Sequence, residues 1–549
     1  MASPCAHLAG RNSNFYAFYI ILENFNSELL LLNWRAIFHI LAQNNLTKIR
    51  LIMSKEKKGG VSRRRFVGTT AAATAGFTLL PSNVVSGLGH VAPSDKLNIA
   101  AVGVGGMGRS NLRNIKDQNI VALCDVDWKY AAKTFEDYPD AKKFWDWRKM
   151  YDEMADQIDA VIVATADHTH ALVASHGMTM GKHVYVQKPL THSVYESRLL
   201  TALADKHQLA TQMGNQGSSG EGVNLVCEWI ANGEVGEITK VEAFTDRPIW
   251  PQGLNVPEKA QKVPKTLNWD LFTGPAEMKD FNEIYHPWNW RGWWDYGTGA
   301  LGDMACHILH PVFVGLKLNY PTKVQGSSTL LLTECAPNAQ MVKLTYPARD
   351  NMPKVALPEV EVTWYDGGLQ PMKPEGWPEG KDMNDSGGGL LFHGTKDTLV
   401  CGCYGVNPWL LSGRKPDAPK FRRRIENPMR GGHEMDWVRA CKESPENRTQ
   451  TASAFKEAGP FNEMVVMGVN AVRLQGLNKE LEWDGEKMEF TNIGDDEKLQ
   501  MVIKDGFVIE DGDPSFDKEM TGKFSAKEFA KDLVNHKYRE GWKLPDMPA

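Results

Sequence analysis

A surplus of basic residues is missing from this chain. Across 549 residues, 62 lysines and arginines face 67 aspartates and glutamates, for a formal net charge of -5. Nucleic-acid binding leaves a positive footprint, so its absence argues against RNA or DNA as a partner. Cysteine is scarce: the eight residues (5, 124, 227, 306, 335, 401, 403 and 441) are too few for a disulfide framework. The Cys401-Gly-Cys403 spacing is tighter than a zinc knuckle, and buried thiols are the expectation. No stretch supplies the ~20 uninterrupted apolar residues of a membrane span. The nearest, "FYAFYIILENFNSELLLLNW", is broken by Glu23, Asn24, Asn26 and Glu28. Repeats and low-complexity linkers are absent too, and Pro371 to Asp385 reads as a polar, Gly/Pro-rich surface loop. What remains is a globular composition, 42% hydrophobic and 23% charged, long enough for two or more domains.

The first ninety residues read as addressing rather than fold. "SRRRFVGTTAAATAGFTLLPS" (Ser62 to Ser82) has a basic start and a short apolar stretch rich in Ala, Thr and Gly, the layout of an export signal. Arg63, Arg64, Phe66 and Val67 resemble the twin-arginine signal, which predicts a periplasmic or otherwise exported protein; a chance basic cluster before an Ala-rich helix is the alternative. Met53, followed by "SKEKKGG", looks like the natural start, so residues 1–52 read as a start-site artefact or extension and 53–90 as the export signal.

From Lys96 the pattern changes. Leu97 to Val102 suits a buried parallel strand, and Gly103, Gly105 and Gly108 then spell G-x-G-x-x-G before a helical segment from Arg109. Asp125 ends the next apolar run. Gly103 permits the tight turn, Gly105 lets backbone approach a pyrophosphate, Gly108 permits close helix packing, and Asp125 can accept from a ribose diol. An acid there favours NAD, while Arg109 leaves room for NADP or is simply a solvated helix-start residue. Strand (Asp159 to Thr165), helix (Ala171 to Met180) and strand (His183 to Val186) follow, and "LATQMGNQG" adds another. Ligands of such sheets lie beyond the strand ends, where Thr165, Ala166, His168, His170, Gln187, Lys188 and Asn215 fall. With Gly106 and Met107 of the glycine turn, these are the candidate cofactor contacts, and Lys188 is placed at the nicotinamide end. His183 and His192 read equally well as surface residues.

The glycine turn, Asp125, "ATADHTHA", "QKP" and Asp303-x-x-x-His307, in that order, resemble the Gfo/Idh/MocA oxidoreductases over roughly residues 96 to 480. The resemblance implies an α/β fold: a Rossmann dinucleotide-binding domain (96–216) and a C-terminal α/β domain with a large open, mainly antiparallel sheet for substrate and oligomerisation (217–495). A charged tail (496–549) would then wrap a neighbouring surface. It also implies tightly bound NAD (NADP being possible), a carbohydrate substrate, a homo-oligomer, and a catalytic trio of Lys188, Asp303 and His307. Three positions depart from the usual pattern: Gln187 stands for Glu, Ala166 for Pro, and His310 for an Asp.

"GTGALGDMACHILHP" (Gly297 to Pro311) raises the question of what its side chains do. On one helix Asp303, His307 and His310 share a side. Two histidines and a carboxylate suit a transition metal, and a structural patch is a third reading. The motif context favours proton transfer: His307 takes a hydroxyl proton, Asp303 orients the ring or holds a second hydroxyl, and Lys188 stabilises developing alkoxide charge, with no metal. Just upstream, six of the 17 tryptophans (250, 269, 288, 290, 293 and 294) lie within fifty residues. They either stack on sugar rings or fill the core. Arg247, Trp250, Trp290, Arg291, Trp294 and His310 are the candidate substrate contacts. Further on, strand-like alternation fills 320 to 405, with a hairpin turning at Thr395-Lys396-Asp397. "GGHEMDWVRACKE" starts a helix whose His433 either reaches the pocket or caps at the surface. The whole reads as an NAD(P)-dependent oxidoreductase acting on a sugar, polyol or glycoside hydroxyl. Its rivals are redox-neutral glycoside cleavage by bound NAD and non-catalytic binding of sugar or nucleotide.

Overall fold

A computed structural model describes residues 95–417 and 431–548. The twin-arginine stretch and the readings of residues 1–52 and 53–90 lie outside the described residues.

Six parallel strands open the described chain: β1 (Asn98–Val102), β2 (Asn119–Cys124), β3 (Lys142–Phe144), β4 (Ala160–Val163), β5 (His183–Val186) and β6 (Thr211–Met213). Their order is β3-β2-β1-β4-β5-β6. Helices α1 (Met107–Asn114), α2 (Ala132–Asp137), α3 (Trp147–Met154), α4 (His170–Thr179) and α5 (Val194–Lys206) connect them. β4 is buried at every residue, as a parallel strand covered on both faces requires. The chain turns back between β1 and β4, the topological switch at which doubly wound sheets bind their ligands. Predicted strands and helices here fall within two residues of the observed ones.

After α6 (Glu221–Ala231) the chain builds a second sheet. Its strands are β7 (Ile238–Thr245), β8 (Lys323–Ser328), β9 (Gln340–Tyr346), β12 (Val360–Tyr365), β13 (Gly388–Gly394), β14 (Thr398–Gly402), β15 (Trp409–Leu410), β16 (Leu481–Asp484) and β17 (Glu489–Phe490); β10 (Arg349–Met352) and β11 (Val355–Leu357) pair apart from it. Only β7 and β12 run parallel; every other pairing in this nine-stranded sheet is antiparallel. The turn of the β13–β14 hairpin is residues 395–397. Between β7 and β8 stand α7 (Trp269–Thr273), α8 (Gly299–Ile308) and α9 (His310–Gly315). α10 (Gly432–Lys442) and α11 (Phe455–Arg473) precede β16. Strand residues facing α11 are apolar, and β9 alternates buried and exposed positions as a one-sided sheet should.

Two boundaries differ from the sequence reading. α10 belongs to the first layer, since Trp437, Val438, Ala440 and Cys441 share a core with Ile99, Ala101 and Tyr185. Its apolar face has nowhere else to be buried, so the nucleotide-binding unit is completed by a helix more than 200 residues downstream. The last segment, expected to wrap a neighbouring surface, also carries secondary structure of its own. β18 (Lys498–Leu499) pairs with β21 (Phe524–Ser525), β19 (Val502–Glu510) with β20 (Asp513–Met520), and α12 (Ala526–Asn535) lies on α5 and α11. Beyond it, Tyr538 donates to Glu196, Arg539 pairs with Asp270, and Trp542 receives the Arg148 guanidinium on its ring. The described cysteines are all free; six are buried and Cys227 is partly so.

Candidate active site

Gly103 sits at φ +78°, and a Cβ there would meet the Ala164 carbonyl oxygen at 2.5 Å. A Cβ on Gly108 would lie 1.9 Å from the Gly103 carbonyl oxygen, so α1 starts in backbone contact with the turn it leaves. Gly108→Ala is therefore expected to displace the turn and abolish dinucleotide binding, read by titration against NADH. At Gly105 the close neighbour is Tyr130, whose ring would meet a Cβ at 2.1 Å. That glycine makes room for a side chain of the next loop as well as for a ligand.

Asp125, at the end of β2, holds this turn. One oxygen accepts from the amides of Val104 (2.7 Å) and Gly105 (3.2 Å), the other from Asp127 (2.9 Å). An ionised carboxylate offers about four acceptor positions, so one is left for a ribose hydroxyl. Burial pushes its carboxyl up to about 6, against the pull of the Asp127 and Val104 amides. Arg109 is drawn away by Asp137 (2.8 Å) and lies outside the cavity, which removes the cation a 2′-phosphate would need.

From this turn a cavity of about 450 Å³ runs to the other domain. Gly103, Gly105, Gly106, Met107, Asp125, Tyr130 and Trp145 line one end, and Thr165, Ala166, His168, Gln187, Lys188, Trp288, Trp290, Arg291, Asp303, His307 and Tyr404 the rest. A dinucleotide's requirements are thus met by the residues present: a glycine turn that lines the cavity with Tyr130 laid against it, a free carboxylate position, and apolar walls leading to a charged end.

At that charged end Lys188 Nζ donates to Asp303 Oδ1 (2.7 Å) and to the Asp303 carbonyl (3.0 Å). Arg291 Nε donates to the same carboxylate oxygen at 3.1 Å, its guanidinium held between Trp288 (3.9 Å) and Trp290 (4.3 Å). Burial alone would raise Asp303, but Lys188 and Arg291 hold it far below the usual carboxylate range. His307, one turn further along α8, is buried at 8% exposure and stands 4.7 Å from the Tyr404 ring. Burial and the Lys188 ammonium bring its pKa down to about 3, so the ring is neutral and Nδ1 has no hydrogen-bond partner.

Other candidate residues point elsewhere. His310 does not share a face with Asp303 and His307, because α8 ends at Ile308 and α9 begins at His310. Its Nε2 meets Glu457 at 3.1 Å outside the cavity, so the three side chains do not converge. His170 is buried with Nδ1 against the Pro189 carbonyl (2.8 Å) and Nε2 against that of Thr165 (3.2 Å); it ties two loops together rather than facing the cavity. Asn215 is wholly buried, reaching the Cys306 carbonyl at 3.4 Å. Trp250 donates to Gln252 (2.8 Å), Trp294 is buried against Arg473, and Arg247 pairs with Asp246; none of the three lines the cavity. His433 neither caps nor reaches the pocket: it is buried between Ser219 (2.6 Å) and the Met213 carbonyl (2.9 Å). His183 and His192 are partly buried, against Ala210 and the Gly297 carbonyl.

Sequence reasoning missed Tyr404, Trp288, Tyr130 and Asp167. Tyr404 holds φ +64°, an unfavourable backbone for a tyrosine, beneath His307. Asp167 accepts from Thr298 at 2.8 Å, and burial pushes its carboxyl up to about 7. Its place inside "ATADHTHA" was the only signal available.

Sheet order, glycine turn and charged cleft together define a two-domain protein of the NAD-binding, Rossmann-fold oxidoreductase class. Family models agree: "Oxidoreductase family, NAD-binding Rossmann fold" matches residues 97–215, and "Oxidoreductase family, C-terminal alpha/beta domain" matches 232–349. Through these two regions the chain belongs to the Gfo/Idh/MocA oxidoreductase family. An alpha-N-acetylgalactosaminidase of Shewanella oneidensis is 26% identical over 208 residues, 33% of this chain and 45% of that protein. A glucose-6-phosphate 3-dehydrogenase of Bacillus subtilis is 27% identical over 150 residues, 26% of this chain and 41% of that one. The chain thus spans less than half the length of these curated relatives. Among solved structures, an inositol dehydrogenase homolog of Azotobacter vinelandii, complexed with NADH and myo-inositol, aligns with a TM-score of 0.48 and 15% identity, over 71% of this chain and 98% of that one.

Proposed function

We propose that the protein is an exported, NAD-dependent oxidoreductase that removes hydride from a secondary hydroxyl carbon of a sugar, polyol or glycoside. One observation carries this reading: Lys188, His307 and the glycine turn, contributed by different domains, line a single cavity. Gly103, Gly105, Gly106 and Met107 would hold the pyrophosphate side, Asp125 a ribose, and Thr165, Ala166 and His168 the path toward the ring. NAD, when bound, supplies the hydride acceptor.

The chain's own residues handle the proton and the charge. His307, neutral and half-enclosed by Tyr404, is the base for the hydroxyl proton. Lys188 faces the same oxygen and offsets the negative charge that grows as that proton leaves. Asp303 fixes the ammonium in place and, with Arg291, keeps the local charges paired. Trp288 and Trp290, each with one face taken by the Arg291 guanidinium, line the cavity where the apolar side of a sugar ring would lie.

Because His307 is held near 3, its base form is present throughout the neutral range. His307 is expected to add no break to the kcat/KM profile between about pH 8 and pH 5; any fall there follows protonation of the raised carboxyls of Asp125 (about 6) and Asp167 (about 7) as the pH drops. A pH–rate series on an oxidised sugar checks this.

Redox-neutral glycoside cleavage is the second reading, favoured by the glycosidase among the relatives. Oxidation of a hydroxyl to a ketone would acidify the adjacent C–H; loss of that proton would expel the leaving group, water would add to the unsaturated ketone, and hydride would then return to the carbonyl carbon. Two measurements separate the readings. Denaturing the purified protein and weighing any released nucleotide tests for held NAD. Incubation with aryl glycosides without added NAD yields aglycone on the second reading, whereas NADH accumulation on a sugar panel with NAD supplied supports the first. Sugar binding with neither outcome would leave a non-catalytic binder.

A further inference from the structure

Glu434 stands in the first turn of α10 and is 1% exposed. Its Oε1 accepts from Asn111 Nδ2 at 2.8 Å, and Asn111 Oδ1 in turn accepts from Gln187 Nε2 at 2.9 Å. The chain of contacts therefore runs from α10 through α1 to the end of β5, next to Lys188. Every link is fixed. A Cβ on Gly214 would lie 2.6 Å from Gln187 Nε2, so that amide is closely packed from behind. Asn111 uses its amide on one side and its carbonyl on the other.

Only Oε2 of Glu434 is left over. It is buried, has no hydrogen-bond partner, and belongs to a side chain that lines the same cavity as Gln187 and Lys188. A carboxylate can only accept, and a buried acceptor without a donor is costly. Tyr185 Oη, likewise buried and unpartnered, feels the Glu434 charge but makes no hydrogen bond to it, so a donor from whatever fills the cavity would satisfy this oxygen. A hydroxyl fits, and position matters: Asp125 serves the far end, at β2, whereas this relay ends on β5 beside the lysine. Residue 187 itself is a neutral amide, so the negative charge at this point comes from Glu434.

We propose that Glu434 accepts a hydrogen bond from a hydroxyl of the ribose that carries the nicotinamide, making it a cofactor-binding residue supplied by the downstream helix. The inference rests on the NAD reading, and the test keeps the two apart. Wild-type protein and Glu434→Gln, stripped of nucleotide, are titrated calorimetrically with NADH, ADP-ribose and ADP. ADP-ribose contains the distal ribose and ADP does not. Glu434→Gln is expected to weaken NADH and ADP-ribose about tenfold or more while leaving ADP within about twofold. Should this variant fail to fold, Glu434→Asp, which keeps the charge but withdraws it, is expected to give the same pattern. Unchanged affinity for ADP-ribose overturns the proposal, whether or not NADH weakens, and so does an equal loss for all three ligands. Wild-type protein that binds neither NADH nor ADP would instead overturn the NAD reading.

Discussion

Replacing Lys188 with alanine is expected to lower kcat by about 10³-fold while NADH affinity stays within a few fold. Among the described residues the ammonium donates to the Asp303 carboxylate and carbonyl, and it lines the cavity. Removing a preorganised group of this kind costs roughly 10²–10³ in rate. Here the loss is compounded, since Asp303 is then released from its nearer cation and no longer sets the geometry around α8. Turnover is followed as NADH formation on the best substrate of a sugar panel, and binding by fluorescence titration. A variant retaining a tenth of wild-type kcat would show that the oxygen under attack lies elsewhere.

Asp303→Ala is expected to act on stability as well as rate. The carboxylate is shared by two cations whose side chains are only 13% exposed, against 16% for its own. Deleting one partner of a mostly buried ion pair typically costs about 3–5 kcal/mol, because the remaining charge keeps its desolvation penalty without compensation. Lys188 and Arg291 would face each other with nothing between them. Urea unfolding of wild type and variant, compared at constant m-value, measures the loss. A difference below about 1 kcal/mol would mean that water already screens the pair. Asp303→Asn should fall between the two, since the amide keeps one acceptor but not the charge.

How much of this was legible in the sequence depends on the range of the signal. The glycine turn, Asp125 and strands β1, β2, β4 and β5 are local patterns, each set by a few neighbouring residues, and they were read to within two positions, whereas the three-residue β3 (Lys142–Phe144) was too short to mark itself. Lys188, Asp303 and His307 came from motif order and do line one cavity. His310 was misread because a helical spacing argument assumes one uninterrupted helix, whereas α8 stops at Ile308 and a second helix starts at His310. His170 and Asn215 sit at strand ends as expected but turn inward, since a strand end offers two directions and sequence fixes neither. Among the tryptophans, 288 and 290 reach the cavity while 250 and 294 are core, a division decided by the packing of the whole 250–296 stretch. Tyr404 and Glu434 were invisible for a different reason: they arrive from 100 to 250 residues downstream, and no local pattern marks them.

The crossing made by the last residues also bears on how firmly a nucleotide is kept. Trp542 lies against Arg148 and beside Trp147, and Trp147 is a wall of the cavity near the adenosine half. Residues 538–542 thus brace the outside of that wall, anchored at Glu196 and Asp270. Replacing Trp542 with alanine removes that support, and the expected result is faster release of NADH with turnover at saturating NAD unchanged.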